Sequence, residues 1–261
     1  MSGFAGWPEE RINAVPTPST PTKRYANRQD GSLRPTWERP STYINDGHRA
    51  IFDQTKDLPG WLKPGDSYKL YEMGYYAGEV MLEIGTYGGR SAVVELRGAL
   101  DKENRIAKPQ YFGIDLAPAS IKRTYHTLKR EKLARYALLY CGTLQEFARH
   151  FGIRPTMVFV DADHRYEGIK KDLDTLSAFL EPGVPVLCHD YTNKTGVERA
   201  ATEWEEAGFA EFMGVFGISA LFVTTVKCSG TGTRWTPEAF YQHRKRLLKD
   251  YGLKGIFRRL R

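Results

Sequence analysis

From residue 80 to residue 188 the chain alternates between short apolar runs and longer amphipathic segments, a regularity that few folds permit. The runs at 80–84, 111–114, 136–140, 157–160 and 184–188 have strand length, and each is bounded by Gly, Pro, Asp or Asn. Between them, 91–100, 120–132, 144–151 and 166–180 have helical length and period. Five strands separated by helices predict a parallel, doubly wound α/β sheet. After one more helix, 197–207, the runs 211–216 and 219–225 are separated by a Gly-containing turn. They predict a C-terminal hairpin with an antiparallel edge strand, giving a mostly parallel seven-stranded sheet.

The flanks read differently. Residues 1–64 form an expected arm or lid, and their first forty residues, rich in Pro, Thr, Ser and Arg, suit an extended or disordered segment. Turn signals at Leu58-Pro59-Gly60 and Lys63-Pro64-Gly65 precede a short helix expected over 66–76. The main domain is expected over 65–230. Residues 231–261 form a basic tail with the pattern of an amphipathic helix.

The net charge of +7 sits mostly in that tail: residues 236–261 hold eight Lys/Arg against two Asp/Glu, whereas 65–235 hold 21 against 22. A near-neutral body argues against a nucleic-acid substrate. The tail leaves peripheral membrane contact open, and the aromatic residues of the arm (Trp7, Tyr25, Trp37) leave a homo-oligomer open. No run of about 18 apolar residues and no leader pattern occurs, so a cytoplasmic location is expected. Cys141, Cys188 and Cys228 are widely spaced, without a paired CxxC, and two of them close apolar runs as core thiols do.

Three clusters carry chemistry. Glu83-Ile-Gly85-Thr86-Tyr87-Gly88-Gly89-Arg-Ser91 links a strand to a helix. Its glycines admit a ligand close to the backbone, and the helix start presents free N–H groups to an anion. The spacing is not the GxGxxG of a pyrophosphate cradle and suits a smaller anion, such as the carboxylate of S-adenosyl-L-methionine (SAM), with Glu83 accepting from the ligand's ammonium group. Asp115, at the end of the second strand, can take two ribose hydroxyls or cap the next helix. Gly142-Thr143-Leu144-Gln145 after the third strand either borders an adenine ring or is only a capped turn.

The third cluster joins Asp161-Ala-Asp163-His164 to His189-Asp190-Tyr191 at the ends of two strands expected to be neighbours. Paired carboxylates suit Mg²⁺ or another divalent cation, with Asp161, Asp190 and His189 as candidate ligands and Asp163 as either a ligand or a helix cap. His164 is the candidate general base. The alternative is that these groups cap helices or bind one another.

Taken together and in this order, these motifs resemble the class I SAM-dependent O-methyltransferases: catechol O-methyltransferase, and more closely the bacterial enzymes acting on small molecules and sugars in the macrolide and cephalosporin pathways. The similarity covers about residues 78–225. It implies a Rossmann-like fold and SAM as methyl donor. By this resemblance Glu83, Gly85 and Ser91 would surround the methionine portion, with Thr86, Tyr87 and Gly89 in the same turn, Asp115 the ribose, and Gly142, Thr143, Leu144 and Gln145 the adenine edge. It also implies Asp161 and Asp190 as metal ligands, with Asp161 in addition bordering the cofactor and acting in catalysis beside His164, the residue assisting deprotonation of a small-molecule or sugar hydroxyl. One departure is Tyr191, since catechol-type enzymes place an Asn after the second metal-binding Asp. The competing readings are a metal-independent enzyme acting on nitrogen or carboxylate, a catalytically idle scaffold, and an RNA methyltransferase, against which stands the absence of an NPPY-like tetrapeptide after the fourth strand.

Overall fold

The computed structural model describes residues 21–103 and 108–225, together with 242, 245, 257 and 258. Its elements are β1 (Lys23–Ala26), β2 (Leu33–Trp37), α1 (Asp46–Thr55), α2 (Pro64–Ala77), β3 (Val80–Ile84), α3 (Arg90–Asp101), β4 (Gln110–Asp115), α4 (Pro118–Arg130), β5 (Ala137–Cys141), α5 (Leu144–Phe151), β6 (Met157–Val160), α6 (Tyr166–Ser177), β7 (Pro185–Cys188), α7 (Thr195–Glu206), β8 (Ala210–Phe216), β9 (Ser219–Thr224) and β10 (Phe257–Arg258).

Strands β3, β6 and β7 are buried at every position, the pattern of a sheet covered on both faces. Alternate side chains enter two cores. Leu82, Phe112 and Val158 pack with residues of α5, α6 and α7, while Met81, Tyr111 and Phe159 pack with residues of α1 to α4. The sheet order is β1-β2-β8-β9-β7-β6-β3-β4-β5-β10. Strands β3 to β7 run parallel, and β9 lies antiparallel between β7 and β8. The expected seven strands are β3 to β9, and their order reverses between β3 and β6, which opens a ligand crevice beyond their carboxyl ends.

Three further strands widen the sheet to ten. Over the described part of the arm expected to be extended or disordered, β1 and β2 form an antiparallel hairpin, and β2 joins β8 in parallel through Thr36 and Trp37. Polar contacts hold it in place. Arg34 Nη2 donates to Glu205 at 2.8 Å, Asn27 Nδ2 donates to the Tyr191 hydroxyl at 2.9 Å, and the Arg28 amide donates to Glu198. Helix α1 was also not legible. It is capped by Asn45, which accepts from His48 N, and it buries only His48, Ile51 and Thr55, so its apolar period is faint.

At the other end, Phe257 and Arg258 pair with Leu139 and Tyr140 of β5, so the expected tail helix gives way to a strand there. The rest of the tail lies outside the described residues, except Gln242 and Lys245, which are helical. Cys188 is buried and Cys141 half-buried, and Cys228 lies outside the described residues. No described helix is long and apolar enough to cross a membrane.

Candidate active site

The turn after β3 is built by backbone constraint. Gly85 has φ +91°, its N–H donates to Ile114 O at 2.7 Å, and a Cβ there would come 2.0 Å from the Asp161 carbonyl oxygen. This turn therefore abuts the end of β6, with no room for a side chain between them. Tyr87 holds a positive φ of 42°, and its N–H donates to Asp115 Oδ2 at 3.0 Å. Gly89, also left-handed, caps α3.

Glu83 lies beneath this turn and not on the cavity wall. Its carboxyl is fully buried, with Ser91 Oγ on one oxygen and the Tyr111 hydroxyl on the other, each at 2.5 Å. Glu83, expected to accept from the ligand's ammonium group, braces the turn through Ser91. Gly89 is likewise absent from the wall, whereas Gly85, Thr86, Tyr87 and Ser91 line it. Burial pushes the Glu83 carboxyl up to about 8, against the lowering effect of the Ser91 and Tyr111 hydrogen bonds. The folded state then holds a proton that the unfolded chain releases near 4.5, so stability falls as pH rises through the window between these values. Glu83→Gln should remove its share of that fall. Melting temperatures at pH 5 and pH 9 check this, and equal losses in the two proteins would contradict it.

A cavity of about 1150 Å³ opens over the carboxyl ends of β3, β4, β5, β6 and β7. Asp115 lines it and fixes the turn before α4: Oδ1 accepts from Ala117 N at 2.8 Å and Oδ2 from Tyr87 N. One lone pair on each oxygen stays available to hydroxyl donors. Gly142, Thr143, Leu144 and Gln145 share the wall. Thr143 caps α5 in a capping box with Glu146, and Gln145 Nε2 donates to Asp172 Oδ1 and Thr175 Oγ1 at 3.0 Å each, fixing α5 to α6.

The register of β6 against β7 brings Asp161, His164, His189 and Asp190 together. His164 Nε2 lies 3.4 Å from Asp161 Oδ1 and 3.4 Å from Asp190 Oδ2. These three residues offer ligand atoms within 4.8 Å of one another. His189, an expected ligand, is not among them and stands behind Asp161. It is buried, Nδ1 donates to Asp161 Oδ1 at 3.0 Å, and Nε2 faces Asp66 Oδ2 at 3.7 Å. Burial opposes the imidazolium, but Asp161 and Asp66 overcome it and raise His189 well above the ordinary imidazole value. Burial likewise works against the Asp161 carboxylate, and the charge of His189 overcomes it, holding Asp161 low. The hydrogen bond to Asp161 raises His164.

Asp163 resolves as a helix-start residue, accepting from Arg165 N at 3.0 Å and pairing with the Arg165 guanidinium. Tyr191 turns into the core, where its hydroxyl meets Asn27 and Thr202. Asn193, two positions further on, donates to Asp190 Oδ1 at 3.3 Å and lines the cavity. Asp190 itself has φ +56°, a strained position for a residue with a side chain.

Sequence reasoning missed Asp66. Fully buried at the start of α2, it accepts from Lys63 N, Ile218 N, Ser219 N and Ser219 Oγ at 2.6–3.1 Å. Its only local signal is the Pro-Gly-Asp turn, because its main partners lie about 150 residues away.

The donor set suits a divalent cation. Asp161 and Asp190 offer two hard carboxylate oxygens, which lie with His164 Nε2 within 4.8 Å of one another. Two such oxygens suit Mg²⁺ or Mn²⁺, which fill their other positions with water, and they leave the imidazole of His164 outside the ligand set.

Residues 82–191 match a family model described as "Methyltransferase domain". This segment is similar to methyltransferase domains. It runs from within β3 to the residue after Asp190 and so contains all three sequence motifs, which bears out the resemblance to SAM-dependent methyltransferases. No curated protein matches the chain. The chain shares a fold with an O-methyltransferase from Bacillus cereus in complex with S-adenosylhomocysteine (SAH): TM-score 0.53, 14% identity, over 70% of this chain and 93% of that one. A SAH-bound methyltransferase from Podospora anserina gives TM-score 0.56 at 15% identity over 72% and 91%. The O-methyltransferase TomG from Streptomyces achromogenes, involved in tomaymycin synthesis and bound to SAM, gives 0.52 at 15% over 69% and 88%.

Proposed function

We propose that the protein transfers the methyl group of SAM to a hydroxyl oxygen of a small molecule or sugar. The observation that carries this reading is that the Asp161, His164 and Asp190 cluster lines the same cavity as the Gly85 turn and Asp115. Donor and deprotonating groups therefore face one volume.

In this reading Asp115 takes the ribose hydroxyls on its two remaining lone pairs, and the turn from Gly85 to Ser91 holds the methionine portion. Asp161 and Asp190 would hold a divalent cation, which supplies charge neutralisation for an acceptor losing its proton. His164 Nε2 accepts that proton. A C–O bond forms as the S–CH₃ bond breaks, and SAH leaves with the electron pair on sulfur. The protein's chief contribution is alignment of oxygen, methyl carbon and sulfur. His189 and Asp66 keep Asp161 charged and oriented.

Calorimetric titration with SAH, with Mg²⁺ and with EDTA, tests the donor half. Asp115→Ala should weaken binding about 10- to 100-fold, the value of one or two hydrogen bonds to a charged group. Wild-type affinity in the variant would remove the ribose assignment, and no binding by the wild-type protein would remove the donor.

A further inference from the structure

Arg90 opens α3, lines the cavity and is only 5% exposed. Its guanidinium is poorly satisfied. Nη1 reaches Gly60 O at 3.5 Å, the central carbon stands 5.3 Å from the centre of the Phe52 ring, and Nε and Nη2 meet no acceptor. The acids that attract it are Asp66 and Asp57. Asp66 is already engaged by the Lys63, Ile218 and Ser219 amides and the Ser219 hydroxyl, and Asp57 is exposed. A buried cation without a counter-charge is costly, and removal of a partner from such a charge is among the most destabilising changes known. The segment from Gly60 to Pro64 covers Arg90 and also lines the cavity, adding Lys63, an exposed lysine that forms no ion pair among the described residues. Two cations on one wall, one of them buried and unpaired, describe a site completed by a ligand's negative charge.

We propose that Arg90 is the anion-binding residue of this cavity, taking a carboxylate or phosphate group of the bound ligand, with Lys63 as a second cation beside it. The inference rests on the methyltransferase reading only for the source of the anion: the methionine carboxylate of the donor, or an acidic group on the acceptor. Arg suits the task because its planar fork meets two oxygens at once.

The test compares SAH with 5′-methylthioadenosine, which lacks the carboxylate, by calorimetry on wild type and Arg90→Gln. Donor recognition predicts that wild type favours SAH and that the variant loses about tenfold or more on SAH alone. Acceptor recognition predicts unchanged SAH binding. In that case inorganic phosphate, added to the SAH complex at constant ionic strength, raises the melting temperature of wild type but not of the variant. Wild-type behaviour of the variant in both measurements overturns the proposal. If Arg90→Gln does not fold, Arg90→Lys, which keeps the charge and gives up the fork, is read against the same outcomes. Failure of wild type to bind either nucleoside would sink the methyltransferase reading, and the phosphate arm would still decide on Arg90.

Discussion

Gly85→Ala should abolish SAH binding and destabilise the protein by about 2–5 kcal/mol, the sum expected for a left-handed backbone penalty and an overpacked contact. Both causes are visible at this residue: φ is +91°, and the added Cβ would lie 2.0 Å from the Asp161 carbonyl oxygen. The neighbour is backbone at the end of β6, so no flexible side chain can yield. Relief must come from moving either the turn that lines the cavity or the strand end that carries Asp161. Thermal unfolding and SAH calorimetry check the two parts. A variant that melts within about 1 kcal/mol of wild type and binds SAH normally would mean that the turn adapts.

The second large effect is catalytic. His164→Ala should slow methyl transfer to a hydroxyl acceptor about 10²- to 10⁴-fold, the usual contribution of a positioned general base, while SAH affinity changes little. His164 is about 3.4 Å from both carboxylates and sits on the cavity wall, whereas the supporting His189 is buried between Asp161 and Asp66. Single-turnover rates with the acceptor saturating separate the step from binding. Unchanged turnover in His164→Ala would show that the proton leaves by another route, as expected for a nitrogen or carboxylate acceptor. Treatment with EDTA should depress the wild-type rate, and a rate indifferent to chelation would remove the cation from the reading.

How much of this was legible in the sequence varies with the range of the interactions involved. Strands β3 and β6 match their expected bounds, and α5 does so as well, because apolar period and turn residues are written within a few positions of one another. The hairpin of β1 and β2 was not legible. Its place depends on Asn27, Arg28 and Arg34 reaching α7 and Tyr191, all more than 160 residues along the chain. Tyr191, noted as a departure from the catechol-type pattern, has its explanation in the same contact: it serves the hairpin, and Asn193 stands beside Asp190 instead.

By itself the sequence determined the doubly wound sheet, the glycine turn after the first parallel strand, and the gathering of acidic and imidazole groups at the strand ends, since each follows from local period and the rule that such strands end on one edge. Only the tertiary structure decided which partners those groups meet. Glu83 is held by Ser91 and Tyr111, His189 by Asp161, and Arg90 keeps two guanidinium nitrogens, Nε and Nη2, without an acceptor. A polar side chain at a strand end has one residue type but several potential partners, and which it meets is fixed by elements far away in the chain, through the packing that brings them within about 3 Å.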